Sequence, residues 1–184
     1  MKTYIRSAIV ASMAFVAVSA AGPKSATVPA AAKPADSIRV DDSTQYVFAI
    51  DKYKRYKFPT HINDMVIPRE KATFSEVFVV VLEPGQAPPW HKHDDTEQIF
   101  YVIEGMGVLT IGNARQQFTV KPGTIVRVPA ATWHSIKAGG AKTLRYLCID
   151  CFGVRPGAEP TWDDHVKTMC KTNGWEYNKV VEGK

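Results

Sequence analysis

Between residues 73 and 148 the chain is a succession of short β-branched and aromatic runs, each closed by a turn signal. The runs are 73–82, 98–103, 107–111, 117–120, 124–128, 134–136 and 144–148, with an earlier one at 46–50. Glu83-Pro84-Gly85, Glu104-Gly105, Gly112-Asn113, Lys121-Pro122-Gly123 and Gly139-Gly140 stand between them. Runs this short, broken this regularly, read as strands joined by tight turns. Such strands leave unpaired edges unless the sheet closes, so the pattern predicts an all-β domain, a barrel or a double-sheet sandwich.

The pattern changes after Thr161. Trp162, Val166, Met169 and Cys170 recur at helical spacing, Thr161 and Asp164 form a capping-box-like start, and Asn173-Gly174 supplies a stop. One C-terminal amphipathic helix laid against the barrel is expected, with His165 an ordinary surface residue of it.

The N-terminus is a separate object. Lys2 and Arg6 precede an apolar, small-residue run that ends in Val18-Ser19-Ala20, the order of a secretory signal peptide. Residues 21–36 are rich in Ala, Pro and Lys and lack aromatic residues, as in an extended linker. The expected organisation is a signal peptide over 1–20, a linker over 21–36 and one folded domain over 37–184, in a secreted or periplasmic protein. Cleavage removes Lys2 and Arg6 and takes the formal charge from +5 to +3. What remains has no Lys/Arg cluster dense enough for a nucleic-acid or membrane surface. Cys148, Cys151 and Cys170 allow one disulfide to Cys170 or three free thiols. Cys148 and Cys151 have C-x-x-C spacing but follow a strand pattern, which argues against a redox role.

Residues 85–105 read GQAPPWHKHDDTEQIFYVIEG. Alternate residues of a strand share a face, so His91 and His93 point together with Lys92 opposed. Two imidazoles held side by side make a metal chelate, although His-x-His alone is common on exposed loops. His134 opens another strand after a tight turn at Pro129–Thr132 and can converge with the pair. Alternation puts Gln98, Phe100 and Val102 on one face and Glu97, Ile99, Tyr101 and Ile103 on the other. It does not decide which of Glu97 and Gln98 faces the histidines.

Together these residues resemble the cupin superfamily. Its first motif, G-x5-H-x-H-x(3 or 4)-E-x6-G, is matched by Gly85, His91, His93, Glu97 or Gln98, and Gly105. Its second, G-x5-P-x-G-x2-H-x3-N, is matched by Gly123, Pro129 and His134. Ala131 stands in place of the motif's glycine, and Ala138 in place of its asparagine. The resemblance covers about residues 76–150 and implies a single cupin β-barrel, a double-stranded β-helix or jelly roll. Counting back six residues from Gly105 lands on Gln98, which the resemblance favours as fourth ligand, with Glu97 the alternative. Three histidines and a glutamine at this spacing are similar to the cupins of pectin and alginate breakdown that linearise unsaturated uronates.

A glutamine ligand has a chemical consequence. Three imidazoles and an amide cancel none of a divalent cation's charge, so the site would attract an anionic or chelating molecule and polarise its oxygens. The expected cofactor is one divalent transition metal, Fe, Mn, Ni or Zn, and the expected partner a small, sugar-acid-like molecule. Two readings compete with this Lewis-acid one: an Fe-dependent cupin dioxygenase, and a non-catalytic small-ligand-binding cupin. Fold alone does not choose among them. Phe100, Val102, Trp90, Trp133 and Arg127 are candidates for the substrate pocket; Arg145 is a weaker one, and His61 has no evident partner. Outward-facing Ile99 and Ile103 are consistent with a homodimer or with cover from the chain's own first folded segment.

Overall fold

The computed structural model describes residues 45–181. The expected signal peptide, the linker and the first residues of the expected domain lie outside the described residues.

Among the described residues, nine strands run antiparallel. They are β1 (Lys54–Lys57), β2 (Ile62–Ile67), β3 (Ser75–Leu82), β4 (Thr96–Glu104), β5 (Met106–Ile111), β6 (Gln116–Val120), β7 (Ile125–Val128), β8 (His134–Gly139) and β9 (Leu144–Phe152). Six form one sheet in the order β1-β2-β3-β9-β4-β7, and three form the other in the order β6-β5-β8. This is the all-β, two-sheet fold expected from the strand-and-turn pattern, arranged as the double-stranded β-helix that the cupin resemblance implies. Inward residues alternate along β4 and β9, and Phe100, Val102, Leu109, Val128, Ile136, Leu144 and Tyr146 meet in one core.

The turns follow their residues. Gly105 sits at φ +76 between β4 and β5, and a Cβ there would lie 2.2 Å from the Thr143 carbonyl oxygen. Only glycine satisfies both the left-handed backbone and that approach.

The C-terminal helix α1 (Trp162–Asn173) forms where its sequence predicts. Thr161 Oγ1 accepts from the Asp164 amide, and Gly174 closes the other end at φ 69. Its buried face is Trp162, Val166 and Cys170. A second, shorter helix, α2 (Tyr177–Val181), follows and packs near β1.

Two sequence expectations need correction. Residues 46–50 are not a strand: Tyr46 and Val47 are exposed, with no partner strand among the described residues to hold an extended run. The strands β1 and β2 were not anticipated. β1 buries only Tyr56 among exposed Lys54, Arg55 and Lys57, and β2 hides the polar Asn63 and Asp64; the buried Asp64 carboxylate binds the Arg55 guanidinium at 2.7 and 2.9 Å. The expected C-terminal helix is α1, and the short α2 adds to it. The cysteines are three free thiols, Cys148 and Cys170 buried and Cys151 partly so.

Candidate metal centre

His91, His93 and His134 come together at one end of the barrel, each offering a ring nitrogen, and those atoms lie within 4.8 Å of one another. The local backbone explains the convergence. His91 precedes β4 in an extended loop and forms a lone bridge with His134, the first residue of β8. Ring centroids are 4.4 Å apart for His91 and His134 and 5.1 Å for His91 and His93.

Two backbone carbonyls set the tautomers. Nδ1 of His91 lies 2.7 Å from the Pro89 carbonyl oxygen, and Nδ1 of His134 lies 3.0 Å from that of Thr132. Each Nδ1–H therefore donates outward and leaves Nε2 as a lone pair for the centre. Burial depresses all three imidazoles, His93 to about 3 and His134 to about 4, so they are neutral donors at neutral pH.

Gln98 is buried on the inward face of β4. Its Nε2 donates to Asp150 Oδ1 at 2.8 Å, which fixes the amide and leaves Oε1 buried without a partner. Nε2 of His93 is buried without a partner as well. An orphaned imidazole lone pair and an orphaned amide oxygen beside two further imidazoles fit a cation. Glu97 lies on the opposite face, where its carboxylate pairs with the exposed Arg127.

Asp150 belongs to a buried polar chain behind the amide. It stands directly opposite Glu76 across β9 and β3. Glu76 in turn accepts two hydrogen bonds from the Arg69 guanidinium, at 2.7 and 2.8 Å. Burial pushes both carboxyls above their ordinary range, and the guanidinium opposes this at Glu76. The Cys148 thiol, 3.2 Å from Asp150 Oδ1, is pushed well up and stays a thiol.

The cluster opens into a cavity of about 500 Å³. Trp90 and Trp133, each preceding a ligand histidine, stack at 6.1 Å and form one wall, with the Arg115 guanidinium over Trp90. Phe100 lines it too. Two pocket candidates are corrected. Arg127 is held outside the barrel by Glu97, because it falls on the outward phase of β7. Val102 points inward but is sealed in the core and does not line the cavity.

Sequence reasoning missed two histidines. His61 is buried against Phe58, ring to ring at 4.6 Å, and lines the cavity. His165, expected at the surface, also lines it, with Nδ1 2.6 Å from Glu159 Oε2. All five histidines of the chain therefore border one cavity. The signal was the histidine count, since neither His61 nor His165 sits in a ligand-spaced motif.

The cupin-domain family profile matches residues 78–150, from the middle of β3 to Asp150, and so includes the whole histidine cluster. This chain belongs to the cupin superfamily. A curated relative, an uncharacterized protein of Methanocaldococcus jannaschii, is 34% identical over 104 residues, 53% of this cupin and 79% of the relative. Among solved structures, a predicted oxalate decarboxylase from Thermotoga maritima superposes with a TM-score of 0.53 at 19% identity, covering 58% of this cupin and 99% of that chain. KdgF from a Halomonas species superposes at 0.51 with 18% identity, covering 59% and 94%. At these identities the structural likeness concerns the fold. The cupin motifs account for the histidine cluster and Gln98; β1, β2, α1 and α2 lie outside the matched segment.

Proposed function

We propose that this protein is an exported metal-binding cupin that acts on a small, oxygenated, anionic molecule by Lewis-acid chemistry. The observation that carries the reading is the donor set: three neutral imidazoles and the Gln98 amide oxygen, of which His93 Nε2 and Gln98 Oε1 are buried without partners. His91, His93, His134 and Gln98 would hold one divalent transition metal. A cation so held would keep its full double charge, because none of the four donors is anionic, and would supply polarisation of a ligand's oxygens.

The chain's own groups do the rest. Backbone carbonyls hold two imidazoles in the ligating tautomer. Asp150 holds the Gln98 amide through its Nε2, leaving the oxygen unpartnered, and the stacked Trp90 and Trp133 give the cavity a flat aromatic wall. A cavity of about 500 Å³ accommodates a sugar-acid-sized ligand. The ligand pattern resembles that of cupins that linearise unsaturated uronates, which supports non-oxidative chemistry. The leader-like residues 1–20 support export, and a mature N-terminus near Ala21 in the secreted fraction is the check on it.

The test is elemental analysis of the purified protein, His91→Ala and Gln98→Ala, followed by anaerobic turnover of an unsaturated uronate read by loss of its absorbance. Stoichiometric metal in the wild type, loss in His91→Ala, and turnover without oxygen are expected. Metal retained unchanged in both variants, or turnover that requires dioxygen, overturns the reading.

A further inference from the structure

Among the described residues, four buried side-chain polar atoms have no hydrogen-bond partner: Asn63 Oδ1, His93 Nε2, Gln98 Oε1 and Trp162 Nε1. All four belong to residues that line the one cavity. His93 and Gln98 belong to the cluster already described. Asn63 and Trp162 do not, and both lie outside residues 78–150.

We propose that Asn63, Trp162 and His165 form a second polar subsite in this cavity, which takes the hydroxyl-bearing end of a ligand. The other end would meet the histidine cluster; that half rests on the function proposed above.

The chemistry of the orphans selects the group. Trp162 Nε1–H can only donate, and Asn63 Oδ1 can only accept. A cation would satisfy Asn63 and be repelled by the indole N–H. A carboxylate would satisfy Trp162 and be repelled by the amide oxygen. Hydroxyls both donate and accept, so neighbouring hydroxyls on one chain can answer both walls. Leaving either atom unanswered costs more than an apolar side chain of the same shape would, and a Leu or Phe would fill either position. Asn63 is 4% exposed and Trp162 2%, which makes these built groups rather than chance surface ones.

Position agrees. Asn63 comes from β2 and Trp162 from the first turn of α1. Trp162 is held by Tyr56, edge to face at 6.0 Å, and by Phe78 at 5.1 Å, so its indole cannot swing away to solvent. His165 lies one helical turn on, 5.2 Å ring to ring from Trp162. Its Nδ1 is engaged by Glu159, whose carboxylate also meets Arg69, and this leaves Nε2 as the ring atom available to a ligand. Thr168 and Thr172 add hydroxyls along the same face of α1, and Trp175 adds an apolar surface.

The test compares two probes, glycolate and D-gluconate, which share an α-hydroxy-acid head and differ in the hydroxylated chain. The protein is labelled with 15N at the tryptophan indoles, and Trp162→Phe identifies the Trp162 resonance. D-gluconate should shift that resonance, glycolate should not, and D-gluconate should bind about tenfold more tightly, the worth of one or two placed hydrogen bonds. Asn63→Leu and Trp162→Phe should each narrow the gap while leaving glycolate affinity and metal content unchanged, and Asn63→Leu should raise the Tm of the ligand-free protein. Equal affinity for the two probes, or a Trp162 resonance indifferent to D-gluconate, overturns the subsite and leaves ordered water as its occupant. Because the resonance is read in the wild-type protein, a variant that fails to fold does not remove the test. A protein that carries no metal and ignores glycolate, yet shows the D-gluconate shift at Trp162, would sink the cluster reading and support the subsite.

Discussion

His91 and His134 exchange two backbone hydrogen bonds, His91 N–H to the His134 carbonyl at 3.2 Å and the reverse at 2.9 Å. The loop before β4 is thereby stitched to the start of β8, and two histidine-bearing segments far apart in sequence share one rigid backbone. A second stitch follows at once, from the Ala131 amide to the His93 carbonyl. The imidazoles converge because their main chains are fixed, which is what a preformed cation site requires.

That second stitch is made by a residue under strain. Ala131 has φ 58, in the left-handed region, where the superfamily motif has glycine. Ala131→Gly should stabilise the protein by about 0.5–1 kcal/mol, because glycine enters that region without a Cβ clash. Urea denaturation of the two proteins checks this, and an unchanged or lowered midpoint contradicts it.

Gln98 is an amide because of its neighbour. With Asp150 Oδ1 2.8 Å from Nε2, a carboxylate at 98 would set two acceptors face to face. Gln98→Glu should destabilise the protein at pH 8 by about 1–3 kcal/mol and raise the proton affinity of the pair. Asp150→Asn in the Gln98→Glu background should recover more than additivity allows. A double-mutant cycle by chemical denaturation measures the coupling, and a coupling of zero refutes the pairing.

His61 gives a pH dependence whose sign is fixed. Burial lowers its imidazole from the ordinary 6.5 to about 3. The unfolded chain therefore binds a proton that the folded one refuses, and stability rises with pH between these values. The contribution is fully present above pH 6.5 and is lost as the pH falls toward 3, by roughly 1.4 kcal/mol per pH unit for this group. Thermal melts of the wild type and His61→Phe across that window should diverge, with the variant losing less stability in acid.

The Arg69–Glu76 pair is fully desolvated, with side chains 5% and 0% exposed. Arg69→Met should cost about 3–5 kcal/mol, because it leaves a buried carboxylate without its cation. Glu76→Gln in the same background should recover much of the loss, as two linked urea titrations would read.

The sequence told most about the barrel where period-two alternation and Gly/Pro turns agreed, from β3 to β9. It was silent about β2, because Asn63 and Asp64 hide polar atoms that alternation scores as exposed, and about β1, where Tyr56 is the one buried residue among exposed Lys54, Arg55 and Lys57. It misled at Tyr46–Ile50, whose β-branched and aromatic residues have no partner strand. At the site, spacing carried His91, His93 and His134, and the strand phase of β4 separates Gln98 from Glu97 once the structure gives it. His61 and His165 escaped because no local spacing links them to the others; they meet the cluster only through the packing of β2 and α1. Arg127 was unreadable because a four-residue strand gives alternation too little length to assign a face.

The cavity's walls come from three stretches of the chain. The clustered histidines lie within the family-matched segment, while His61 and Asn63 precede it and Trp162 and His165 follow it. The flanking walls can therefore vary while the histidine motifs stay the same.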